Sequence, residues 1–70
     1  MILVHVSVGV GAWTADADVL LVACPHVGDR IEVKGQEVEC QFVTITNKAV
    51  YVRETIHFTS EQHAKDYFNG

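Results

Sequence analysis

Residues 30–40 read Arg30-Ile31-Glu32-Val33-Lys34-Gly35-Gln36-Glu37-Val38-Glu39-Cys40. Charged and apolar residues alternate up to Lys34 and alternate again from Glu37. A period of two belongs to a strand with one wet face and one buried face. Gly35-Gln36, between the two runs, suits a two-residue type II′ turn, which takes glycine first. The stretch therefore predicts a hairpin with Val33 opposite Val38 and Ile31 opposite Cys40. In that register Lys34 meets Glu37 favourably and Glu32 meets Glu39 unfavourably.

The same logic extends in both directions. Twelve Val, four Ile and five Thr among 70 residues favour strands throughout. Ile2 to Val8 alternates, with Ile2, Val4, Val6 and Val8 on one face and Leu3, His5 and Ser7 on the other. Gly9 to Asp18 reads as a loop or ribbon turn. Gly9-Val10-Gly11 does not open a dinucleotide fingerprint, because Thr14 stands where the third glycine belongs. Val19 to Cys24 is apolar throughout, which predicts a strand covered on both faces and ended by Pro25. Asn47-Lys48 predicts the next tight turn, with a positive φ at Asn47, Ile45 opposite Val50 and Val43 opposite Val52. The inward set changes phase near Gln41-Phe42, which predicts a bulge or sharp bend there, or burial of both faces. Thr59 with Gln62 predicts a capping box for a helix over about 60–68 ended by Asn69-Gly70, with Glu61 and Lys65 paired. Ala64, Tyr67 and Phe68 share the face that docks.

Pro25-His26-Val27-Gly28-Asp29-Arg30-Ile31-Glu32-Val33 resembles the Pro-x-x-Gly-Asp lead into an alternating strand in small SH3-like β-barrels of bacteria and phages. Gly28 to Val33 also resembles the opening of a KOW-type element, without the glycines and basic residues that follow in it. The similarity spans roughly residues 19 to 56 and concerns the fold. It implies one domain over residues 1–70: a five-stranded SH3-like barrel of antiparallel strands with a short C-terminal α-helix. No functional residue transfers with it.

Composition narrows the function. The net charge is −4 with only five Lys and Arg, which argues against a general grip on nucleic-acid phosphates. No apolar run is long enough to span a bilayer, and Met1 leads into Ile2-Leu3-Val4 without a basic segment. Two cysteines are too few for a disulfide scaffold, so a reducing cytoplasm is the expected compartment and no cofactor is expected. Cys24, His26 and Cys40 are the candidate metal ligands, since zinc takes Cys and His, although no paired Cys-x-x-Cys spacing is present. A cysteine nucleophile with a histidine base is not expected, because the histidines fall on separate elements. Trp13, Tyr51 and Arg53 form the candidate stacking patch for single-stranded nucleic acid.

The expected function is that of a non-catalytic protein–protein interaction module, a phage or bacterial regulator or inhibitor occupying a partner's surface. Apolar residues make up 49% of a short chain and concentrate in Ile2 to Val8 and Val19 to Cys24. A small barrel leaves one face of such strands in water, and soluble monomers avoid exposed apolar patches. Leu3, His5, Trp13, Leu20 and Val22 are the candidate interface, and a homodimer is expected to cover it. The competing expectation is that Tyr67 and Phe68 of the helix cover the same surface.

Overall fold

Alternation and close approach build the first hairpin of the computed structural model, which describes residues 1–69. Strands β1 (Ile2–Val10) and β2 (Trp13–Leu21) pair antiparallel across Gly11-Ala12, with Val8 opposite Ala15 and Val6 opposite Ala17. Residues 9–18 are thus strand and tight turn rather than a loop. Ala15 and Ala17 alternate with Asp16 and Asp18, and pairing with β1 overrides the weak strand preference of Ala and Asp. Gly9 sits at φ +128°, and a Cβ there would stand 2.5 Å from the Trp13 carbonyl oxygen. Only glycine lets the two backbones come this close.

The run Val19 to Cys24 is not a strand covered on both faces. β2 ends at Leu21, Leu20 and Val22 are exposed, and Cys24 is half-buried. β2 is an edge strand whose outer face meets water, and the chain leaves the sheet at Val22.

Strands β3 (Arg30–Val33) and β4 (Gln36–Glu39) form the predicted hairpin, with the turn one position earlier and the pairing therefore two residues out of the predicted register, which leaves the same side chains facing inward. The turn residues are Lys34 and Gly35, with φ of +50° and +84°. Both being positive defines a type I′ turn, whose twist matches the flanking strands. Ile31 therefore faces Val38, and Glu32 faces Glu37. Arg30 Nη1 bonds Glu37 Oε1 at 2.8 Å, relieving part of that repulsion.

Strands β5 (Phe42–Ile45) and β6 (Val50–Glu54) pair as predicted, Ile45 with Val50 and Val43 with Val52. Asn47 does not use a positive φ. Thr46 organises the turn instead: its Oγ1 accepts the Ala49 N–H at 3.1 Å and the Lys48 N–H at 3.3 Å. The expected phase change falls between β4 and β5. Gln41 N–H donates to Arg53 O at 3.1 Å while Phe42 is the register partner of Arg53, so two residues face one, as in a bulge.

The chain is mainly β with one short C-terminal helix. Among the described residues there are six strands, not five, in two sheets, one ordered β2-β1-β6-β5 and the other β3-β4. β1 and β6 run parallel, so the strands are not all antiparallel, and the two sheets do not close into a barrel. Helix α1 (Glu61–Asp66) is capped by Ser60, whose Oγ accepts the His63 N–H at 3.1 Å, rather than by a Thr59–Gln62 box. Ser60 supplies the extended backbone that a cap requires, and Gln62 bonds Asp66 instead. The Glu61–Lys65 pair forms at 3.2 Å as expected. Of the expected Asn69-Gly70 terminus, Gly70 lies outside the described residues.

The core is one cluster between the sheet and its cover. Val4, Val6, Val8, Ala15, Ala17, Val50 and Val52 form the inner face of the four-stranded sheet. Val33 and Val38 of the β3–β4 ribbon, Cys40, Phe58, Ala64 and Phe68 complete the cluster. Each fully buried valine contributes on the order of 1.5 kcal/mol or more. Tyr67 packs edge-on against Phe58 and Phe68, and Gln36 Nε2 donates to the Tyr67 carbonyl at 3.2 Å, tying ribbon to helix.

Candidate functional site

The cover occupies one face of the sheet only. Alternation sends Leu3, His5 and Ser7 of β1 to the other side, with Asp16, Asp18 and Leu20 of β2. Strand β6 adds Tyr51 and Arg53 there, and β5 adds Phe42 and Thr44. The registers align these side chains into rows. One row runs Asp18, His5, Tyr51, Thr44, and the next runs Asp16, Ser7, Arg53, Phe42. Leu3 lies opposite Leu20 beyond the first row.

This outer face is apolar at its margins and polar at its centre. Leu20 is 58% exposed, Phe42 59%, Leu3 47% and Tyr51 46%. Soluble monomers usually cover such a set. At the centre His5 Nδ1 lies 2.6 Å from Asp18 Oδ1, and the imidazole stacks on Tyr51 with centroids 5.2 Å apart. A carboxylate can only accept, so the His5 ring donates to Asp18 through Nδ1. A shallow groove of about 340 Å³ runs between these side chains, walled by Asp16, Asp18, Tyr51 and Arg53.

Of the candidate interface residues, Leu3, His5 and Leu20 share this face. Val22 is 87% exposed but lies past the end of β2. Trp13 lines a separate cleft with Glu61, Ala64 and Lys65 of the helix region. The helix ends at Asp66, short of the expected 68, and Tyr67 and Phe68 just beyond it join the core on the inner side and do not cover the outer face. Phe42, Asp16 and Asp18 complete the site and were not legible as part of it, because Asp16 and Asp18 are placed by the β1–β2 hairpin in a stretch that reads as a loop or turn, and Phe42 by the parallel β1–β6 pairing.

The nucleic-acid patch is assembled only in part. Tyr51 and Arg53 do adjoin on β6, but Trp13 is not with them, and Asp16 and Asp18 share their groove. Carboxylates in that position repel phosphates.

The candidate metal ligands are not brought together. Cys24 Sγ points at the Pro25 carbonyl at 3.6 Å, and His26 is 86% exposed with Nδ1 3.7 Å from Asp29 Oδ2. Cys40 is fully buried, and among the described residues no three His, Cys, Asp or Glu side chains converge on one point. Cys40 does not face Ile31. It lies beyond β4, where its N–H donates to Asp29 O at 2.8 Å and its carbonyl accepts from Gly28 N–H at 2.9 Å. Burial pushes its thiol above the ordinary range, and the charges of Asp29, Glu54 and Glu39 push it further. That is the opposite of what an activated nucleophile needs.

No helix is long and apolar enough to cross a membrane, among the described residues. No known protein family matches this chain, and comparison with curated proteins and with solved structures finds no match either.

Proposed function

We propose that this chain is a non-catalytic protein–protein interaction module that docks through the outer face of its four-stranded sheet. The observation that carries this reading is the set Leu3, Leu20, Phe42 and Tyr51, all large, all about half exposed and all on a face the chain's own helix leaves open. The aromatic and arginine side chains at its centre are the types that anchor interfaces. A bacterial or phage regulator that occupies a host protein's surface in a reducing cytoplasm is the concrete form of the proposal. The fold is read with it as an open relative of the SH3-like barrel, the chain bending at Gln41 between the β3–β4 ribbon and the β5–β6 hairpin.

Affinity capture from the native source tests the reading with three baits: the wild type, Leu20→Glu on the outer face and Val27→Glu at an exposed site elsewhere. A protein retained by the wild type and Val27→Glu but lost by Leu20→Glu is expected, with all baits melting alike. Equal retention by all three removes the outer face from the account.

A further inference from the structure

The occupant of the outer face can be read from its charges. We infer that the face is self-complementary and pairs with a second copy of this chain across a two-fold axis lying along β1. The inference rests on the docking reading above and adds to it the partner and the geometry.

Asp16 and Arg53 stand in one row on either side of Ser7. Adjacent strands are about 4.8 Å apart, so two strand spacings, roughly 10 Å, separate them. Among the described residues neither takes part in an ion pair. The face is therefore divided by β1 into an acidic side, Asp16 and Asp18, and a side bearing Arg53 and the Tyr51 hydroxyl.

A two-fold contact between facing sheets repeats every pairing in both directions. For aligned sheet packing, the commoner way two such faces meet in sandwiches, its axis lies close to across the strands or along them. An axis across the strands lays β2 on the partner's β2 and sets Asp16 and Asp18 against the partner's same carboxylates, which repel. An axis along the strands between β1 and β6 lays β2 on β5 and sets Asp16 against Phe42, which desolvates a carboxylate without a partner. An axis along β1 lays β2 on β6. Asp16 then meets the partner's Arg53 and Asp18 the partner's Tyr51 hydroxyl, each contact made twice, and Leu3 meets its own copy on the axis. Of the three arrangements this alone satisfies the charges.

The test is sedimentation and light scattering on the purified full chain from about 10 μM to about 1 mM, at low and high salt. A dimer that loosens with salt is expected. Arg53→Asp and Asp16→Arg should each weaken it about tenfold, and the double exchange should restore it to within about threefold. Both residues are exposed, and thermal melts check that the variants fold. A wild type that stays monomeric to about 1 mM overturns the second copy. A dimer indifferent to both single exchanges, or not restored by the double one, overturns the axis. The same face cannot hold a second copy and a host protein at once, so a wild type that stays monomeric yet captures a partner through Leu20 overturns the second copy and leaves the docking reading standing.

Discussion

Gly9 shows how much a single residue decides. Its φ of +128° belongs to a region that L side chains rarely adopt, and its missing Cβ would meet the Trp13 carbonyl at 2.5 Å and Thr14 Cα at 2.9 Å. Those contacts are backbone, so no side-chain rotation relieves them. Gly9→Ala should cost more than about 2 kcal/mol, read as a lower urea midpoint at unchanged slope. An unaltered midpoint would mean that the β1–β2 strands do not approach this closely. Gly9 was visible in the sequence as a turn residue, but its use inside a strand was not, since close approach belongs to the pairing and not to the letters.

Among the elements, the β3–β4 hairpin separates what pattern conveys from what geometry adds. The alternation of Arg30 to Val33 announced both strands, yet two adjacent turn positions fit the same letters. Twist chose Lys34-Gly35, at the cost of a left-handed lysine. Gly35 has open space where a Cβ would go, so Gly35→Val tests conformation alone. It should destabilise by more than about 1 kcal/mol, and Lys34→Asn should stabilise by about 0.5 kcal/mol. Thermal melts in which both variants match the wild type would place the turn elsewhere. The β5–β6 hairpin was legible in full register because Asn47-Lys48 leaves one choice that keeps Val43, Ile45, Val50 and Val52 on one side. The helix was legible from Glu61, Lys65 and its apolar face, but its cap slid from Thr59 to Ser60, since either hydroxyl suits an N-cap by type.

At the scale of the molecule, separate elements meet around Cys40. Asp29 comes from the loop before β3, Glu39 from β4 and Glu54 from β6, and all three raise the thiol beyond what burial does. Burial likewise raises the Tyr67 hydroxyl, with Glu54 adding to it. Both groups hold their protons more tightly folded than unfolded, so the stability this confers is present below their ordinary values. It is lost as the pH rises through the folded ones. The melting temperature should therefore fall above about pH 9, where an ordinary thiol ionises, and Tyr67→Phe should flatten the higher part of that decline. A flat profile to pH 11, roughly a unit past the ordinary phenol value, would contradict the burial described for both groups. The sequence by itself determined a mainly β chain, most of its strands, one hairpin register, the docking helix and the outward direction of Leu3 and His5, because side-chain period and turn chemistry act between near neighbours. Only the tertiary structure decided that β1 lies parallel to β6, that the helix covers the inner face, and that Asp16, His5, Tyr51, Arg53 and Phe42 share one surface. Those facts come from pairing between distant segments, where many registers satisfy the local pattern and packing of the whole selects one.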